Sequence, residues 1–500
     1  MGSSGGFAGM AGGFGGRMGG FGGKLGSGGG TISAITGVPG RPGGKLTKGG
    51  TTGSDGGRPS AGNHGKDRPH KPRFPKGPII VGVPTGVTVV TPVLGAVNPS
   101  GGGSPSPARI IARTGSGVPP ATERRYRRDE VLTQFAASVP NETIAALGRR
   151  QRLNRVASFT FNDVTMLRWK IPDQRSVPAV IRSLEAERIV LAAQPNYVYQ
   201  LQQQRAPNDE PTAALVPDGD PGQYALAKLR LREAHELAKG EKVLIAVIDS
   251  GVDLTHPELA GMVMDSYDAL DSKEKAHAHG TAVAGAIVAH VRLMGAAPEA
   301  RILAARAFST KERTPEATTF SINQSIDWAL SRGARIINMS FTGPRDPSIE
   351  QRLAQARRQG LILIAAAGNA GPKSNPLYPA AYPNVIAITA TDADDKLFQG
   401  ASRGNHIAVA APGVDLLLPA PEAGYQVTTG TSFAAAEVSG IVALLLERKS
   451  DLGHEGVRKA LTQPRVTSGP RALVDAYRAI LSLEPVTTGA AAPVAPTARR

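Results

Sequence analysis

The chain has 500 residues, with 60 Gly, 39 Pro, no Cys and a formal charge of +16. Its length gives room for roughly three domains of about 150 residues, and the missing cysteine excludes a disulfide framework, a thiolate metal site and a cysteine nucleophile. The charge is confined to one end: residues 1–120 carry 13 Lys+Arg against 2 Asp+Glu while residues 221–500 carry 30 against 27, so nothing marks the folded part as a nucleic-acid-binding surface.

In chain order, residues 1–121 read as a disordered, basic Gly/Pro-rich tail. Residues 1–120 hold 36 of the Gly and 14 of the Pro, too few large apolar side chains to offset the entropy of ordering them. Gly-Gly-Phe recurs at 5–7, 12–14 and 19–21, one apolar anchor per seven residues, which excludes a coiled coil. Ile79–Val97 is apolar enough to raise a membrane segment, but Pro84 and Pro92 break a spanning helix, so no membrane anchor is expected. The first 30 residues carry no apolar core of signal-peptide type.

Residues 122–204 form a small α+β pattern. Strands are expected at Glu130–Ala136, Val164–Ile171 and Ile189–Ala193, and helices at Glu142–Arg150 and Val177–Ala186, the second opened by Ser176. Residues 205–222 are polar and Pro/Asp-rich, an exposed linker; the connector character begins at Gln200. From 223 to 484 buried strand-length runs (Val243–Ile248, Ile302–Ala307, Ile336–Met339, Leu361–Ala367, Val385–Thr389) alternate with helical stretches (His279–His290, Thr319–Arg332, Ile349–Gln359). That alternation predicts an α/β fold with a doubly wound parallel sheet, whose ligands gather at the carboxyl ends of the strands. Residues 485–500 read as a second disordered tail.

Three polar residues stand where that rule points. Asp249 closes a strand in Ala246-Val-Ile-Asp-Ser-Gly-Val252, His279 opens a helix in His279-Gly-Thr-Ala-Val-Ala-Gly285, and Ser432 opens another in Gly430-Thr-Ser-Phe-Ala-Ala-Ala-Glu-Val-Ser-Gly440. Each alone has an ordinary reading as a turn former or helix cap. Together, in this order, they resemble the Asp, His and Ser words of the subtilases, the subtilisin-like serine endopeptidases, over about 223–484. Ala365-Ala-Ala-Gly-Asn-Ala-Gly-Pro372 matches that family's oxyanion segment, and Ile337-Asn-Met-Ser-Phe-Thr-Gly343 its substrate-binding strand.

The resemblance implies a hydrolase in which Asp249 orients His279, His279 moves a proton, Ser432 is the nucleophile, and Asn369 with the Ser432 amide holds the oxyanion. It places substrate against Ser340, Phe341, Thr342 and Gly343, with Ala366, Ala367 and Gly368 as the facing wall. No acid stands in either wall, so a neutral or apolar side chain is expected before the scissile bond. His290-Val-Arg-Leu-Met-Gly295 lacks the oxygen ligands of the family's tight calcium loop, so no metal and no cofactor is expected. Residues 122–204 resemble the family's inhibitory propeptide, with Pro195-Asn196-Tyr197 matching its terminal strand, which implies a zymogen cut within 200–222. Expected partners are protein or peptide substrates and the chain's own propeptide, the enzyme being a monomer that is secreted or held in the cell envelope. The competing reading is an inactive protein of this fold that binds polyanions or a cell surface through its basic tail.

Overall fold

A computed structural model describes residues 115–202, 204–205, 219–463 and 473–483, all within one compact unit. The expectations for residues 1–114, for most of 205–222 and for 485–500 lie outside the described residues.

The N-terminal unit runs β1 (Tyr126–Ala136), α1 (Asn141–Arg150), β2 (Asn154–Phe161), β3 (Val164–Lys170), α2 (Val177–Glu185) and β4 (Ala192–Leu201). Helices α1 and α2 turn Leu147, Val180, Ile181 and Leu184 onto Val131, Phe135, Leu167 and Trp169, a core of its own. β2 was given no bounds from the sequence: none of its residues is fully buried, although its alternating Ala157, Phe159 and Phe161 pack against Met166 and Phe320. The last strand differs most from expectation. It starts at Ala192, passes straight through Gln194-Pro195-Asn196-Tyr197 and continues into the supposed connector as far as Leu201. Pro195 is tolerated because the β1–β4 pairing is irregular there, the register shifting between the Tyr126–Tyr197 and Val131–Pro195 pairs.

Beyond it come β5 (Gln204–Arg205), α3 (Tyr224–Leu229), α4 (Leu231–His235), β6 (Leu244–Asp249), β7 (Val263–Asp268), α5 (Ala278–Val288), β8 (Arg301–Arg306), β9 (Glu316–Thr318), α6 (Thr319–Ser331), β10 (Ile336–Met339), β11 (Phe341–Thr342), α7 (Pro347–Arg358), β12 (Ile362–Ala366), β13 (Ile386–Thr391), β14 (Ile407–Pro412), β15 (Leu416–Ala420), β16 (Gly424–Thr429) and α8 (Thr431–Arg448). Seven strands form one parallel sheet in the order β14-β13-β12-β10-β6-β8-β7. Its central strands are buried along their length, as continuous apolar runs require. The α/β parallel-sheet expectation therefore holds.

Two helices set the site. α5 and α8 are buried on nearly every side, and their Ala, Gly and Ser residues let them pack closely on each other and on the sheet. Gly440 of α8 faces Ala296, where a Cβ would come within 2.6 Å of the Ala296 Cβ. Among the described residues, no helix is long and apolar enough to cross a membrane.

The loop that follows α5, read as lacking calcium ligands, is built around a buried carboxylate. The buried Glu258 side chain accepts the amide N–H groups of His290, Val291, Arg292 and Leu293 at 2.8–3.1 Å and the Tyr425 hydroxyl at 3.0 Å. Four inward N–H groups around a carboxylate form an anion nest and offer a cation nothing to bind. Arg292, stacked over the Tyr425 ring, ties the same loop to Asp220 through contacts of 2.7–2.8 Å. Among the described residues no group of three or more His, Asp or Glu is arranged to hold a metal ion.

Candidate active site

Asp249 ends β6 at the carboxyl edge of the sheet, fully buried. Its Oδ1 accepts the Ser250 amide at 2.8 Å, the Ser250 hydroxyl at 3.0 Å and lies 2.7 Å from His279 Nδ1; Oδ2 has no partner. His279 is the second residue of α5, whose N-cap is the preceding histidine, His277. With Nδ1 bonded to a carboxylate, the imidazole carries its proton there and leaves a lone pair on Nε2. Nε2 is buried and has no hydrogen-bond partner.

Ser432 is the second residue of α8 and equally buried. Its hydroxyl is not turned to His279: it lies 2.7 Å from the Gln202 carbonyl and 3.0 Å from the Ser340 carbonyl. The Ser340 hydroxyl donates to the Ser432 carbonyl at 3.0 Å and takes a bond from Asn338 at 2.9 Å, while Ser439 donates to Asn338 at 3.1 Å. This ladder pins the start of α8 to the edge of the sheet.

Asn369 follows β12. Its Oδ1 accepts both the amide (3.2 Å) and hydroxyl (2.9 Å) of Thr431, which fixes the orientation of the carboxamide. Nδ2 is left buried and unpartnered. Gly368 supplies the turn with φ +105°, and a Cβ there would meet Leu377 at 2.6 Å. A buried donor without an acceptor costs free energy, which marks it as kept for a group not always present.

β4 lies in the cleft between two strands. On one side Leu201 pairs with Phe341 and Gln200 with Thr342 of β11; on the other Val198, Tyr199 and Gln200 pair with Thr318, Ala317 and Glu316 of β9. Beyond Ser432, β5 pairs with Thr428 and Thr429 of β16. Backbone therefore runs past Ser432 on both sides, with Gln202 beside the hydroxyl. The Gln202 side chain accepts the Asn369 amide N–H at 2.8 Å. Tyr199 is buried edge-on against Phe341 and donates to the Pro344 carbonyl at 3.2 Å. Its ring occupies the space where a Cβ on Gly343 would lie, 2.3 Å away. Gly343 itself pairs with Tyr378 instead of with the strand in the cleft.

The N-terminal unit also grips two helix starts. Asn196 accepts the Phe320 amide in the first turn of α6, and the Tyr197 amide donates to Thr319. Gln194 donates to Asp346, the N-cap of α7, at 2.8 Å. Burial pushes the Asp346 carboxyl up, and bonds from Thr319, Gln194 and Ser348 oppose that shift.

Asp249 and His279 are thus in direct contact. Ser432 and Asn369 meet the same backbone segment, and Ser340–Gly343 line it. Ala366, Ala367 and Gly368 are buried beneath the Asn369 turn. Sequence reasoning missed Gln202, Thr431 and the second flanking strand β9. Thr431 sits inside a motif already singled out, whereas three residues of β9 are too few for any periodicity. Glu437, five residues after Ser432, is buried with its carboxyl pushed up to about 8 by desolvation, so it adds no charge beneath the site at neutral pH.

A profile described as the subtilase family matches residues 240–477. The chain is 33% identical over 347 residues to a thermophilic serine proteinase of Bacillus sp. (strain AK1), covering 68% of this chain and 82% of that one. It is 32% identical to thermitase of Thermoactinomyces vulgaris, covering 52% of this chain and 95% of that one. Among solved structures it resembles fervidolysin from Fervidobacterium pennivorans, a keratinolytic enzyme related to subtilisin. The TM-score is 0.61 at 23% identity, with 73% of this chain and 62% of that one covered.

Proposed function

Because the chain belongs to the subtilase family and is a subtilisin-like serine endopeptidase, we propose that it works through Asp249, His279 and Ser432 and is made as a zymogen that cuts itself after Gln202. The observation that carries this reading is that residues 198–202 and 204–205 lie on either side of Ser432 as a substrate would, with the Gln202 carbonyl 2.7 Å from Oγ.

A serine hydroxyl is a weak nucleophile until its proton is taken as it attacks. His279 Nε2 holds the free lone pair for that proton, and Asp249, bonded at 2.7 Å to Nδ1, stabilises the imidazolium that forms. In the resting arrangement Oγ–H is given to carbonyl oxygens. Attack requires it to swing to Nε2 while the Gln202 carbonyl oxygen moves towards Asn369 Nδ2 and the Ser432 amide. Asn369→Ala is expected to lower kcat by about 10²–10³ with KM little changed, the loss found for the corresponding donor of a subtilisin. Undiminished turnover of a peptide substrate would remove Asn369 from the mechanism.

Protein and peptide chains are the substrates. The segment in the cleft indicates their form: an extended backbone paired on both edges, a neutral side chain next to the cut at Gln202, and an aromatic ring three residues before it at Tyr199. The N-terminal unit serves as the chain's own inhibitor, and the enzyme acts as a secreted or envelope monomer. A fluorophosphonate probe tests the chemistry: labelling of Ser432 in the processed protein, lost in His279→Ala, is expected. No labelling of processed protein would favour an inactive fold that binds polyanions through its basic tail.

A further inference from the structure

We propose that His277 is a positioning residue for the site, the proton state of its imidazole setting the direction of the Ser250 hydroxyl and so the bonds that hold Asp249. The inference rests on the peptidase reading of Asp249 and His279 and adds a residue that no resemblance assigned.

The Ser250 hydroxyl lies 3.0 Å from Asp249 Oδ1 and 2.9 Å from His277 Nδ1. It has one proton for two acceptors whenever Nδ1 carries a lone pair. That lone pair is also the acceptor for the His279 amide, at 3.3 Å, so His277 caps the helix on which His279 stands. Neutral His277 therefore competes with Asp249 for the Ser250 proton and steadies the backbone of His279. Once protonated, Nδ1 becomes a donor. It then points its proton at the Ser250 oxygen, forces the Ser250 proton onto Asp249, and releases the His279 amide.

The surroundings decide when this happens. Asp249 and the Glu274 side chain favour a cation at His277, while His279 and Arg306 oppose it, and partial burial is the largest influence. The ring is held below the ordinary imidazole range and is neutral at neutral pH. Arg306 is fixed in its place: its guanidinium donates to the carbonyls of Ser250, Glu274 and Lys275 at 2.6–2.9 Å, joining the Asp249 turn to the segment that leads into His277. Gly251 makes room for it, since a Cβ there would fall 2.2 Å from the guanidinium.

The consequence is a brake on the acid side. As pH falls, His277 gains a charge beside the ring that must itself become an imidazolium during the reaction, and it does so while loosening the cap on that ring's helix. Neutral His277 has neither effect, so the site works best above its titration.

Two measurements test the assignment, using His277→Asn, which keeps a side-chain acceptor for the His279 amide. In the processed enzyme, the ratio of variant to parent kcat/KM is expected to rise about tenfold between pH 8 and pH 5, the size of one pKa unit of coupling. A ratio that stays constant with pH overturns the proposal, because a purely structural role would shift both pH values alike. In the full-length Ser432→Ala chain, histidine-ring NMR should show the His279 ring signals moving as His277 gains its proton, a movement absent from the His277→Asn chain. The same pH response of the His279 signals in both chains also overturns it. The second measurement needs no turnover, so it decides the coupling of the two rings even if the peptidase reading fails.

Discussion

Ser432→Ala is expected to leave the 51.9 kDa chain in one piece and to abolish peptide hydrolysis, a loss of about 10⁶ in kcat by comparison with a subtilisin whose nucleophile is removed. The parent should yield a fragment that begins at Gln203. The substitution separates chemistry from folding cleanly. It deletes one oxygen at the second position of a helix, in a site lined by small residues, and replaces serine by the best helix former. What disappears is one hydroxyl proton shared between the Gln202 and Ser340 carbonyls, worth about 1 kcal/mol in net stability. Thermal unfolding should therefore change little while turnover vanishes. Mass spectrometry of both chains decides the matter: a cut Ser432→Ala chain would mean that another protease does the processing, and a parent fragment starting elsewhere would displace the cut from Gln202.

Glu258→Ala is expected to cost about 3–5 kcal/mol, the range for breaking a buried charged network. Five donors converge on this carboxylate, four of them consecutive backbone N–H groups, and alanine leaves all five without an acceptor. In a domain of this size that loss lowers Tm by roughly 10 °C. Glu258→Gln should rescue little, since one of its two polar atoms is itself a donor facing donors. The same geometry sets the response to chelation: with the loop closed by a carboxylate, EDTA should leave Tm of the parent unchanged. A fall of several degrees in EDTA would show a cation site that the loop at 290–293 does not provide.

The legibility of the fold varied with burial. Continuous apolar runs such as Leu363–Ala367 sit in the middle of a parallel sheet, covered on both faces, and their composition announced them. Residues 154–161 and 316–318 were opaque for the opposite reason: one is a strand without buried residues, the other a strand of three residues whose identity comes from its partner. Proline and glutamine made 194–202 look like the end of a domain, whereas β4 gains its order from three neighbouring strands that no local pattern can report. Asp249, His279, Ser432 and Asn369 stood out only through the family words around them, since each alone reads as an ordinary turn former or helix cap. His277 was invisible as a partner, since its contact with Ser250 joins segments 27 residues apart.

Among the described residues, the cleft does not hold the two sides of Gln202 equally. Ahead of it, β4 is sewn to β9, β11 and β1 and backed by the contacts of Gln194, Asn196 and Tyr197 with two helix starts. After it, β5 contributes a two-residue pairing with β16. Under the proposed cut the products would therefore leave at unequal speeds, the new amino end first and the new carboxyl end only when the whole N-terminal unit lifts away. Such a grip separates the moment of bond breakage from the moment of liberation. The first turnover would then act as a slow clock, and the delay before proteolysis of other chains would be set by dissociation instead of by chemistry.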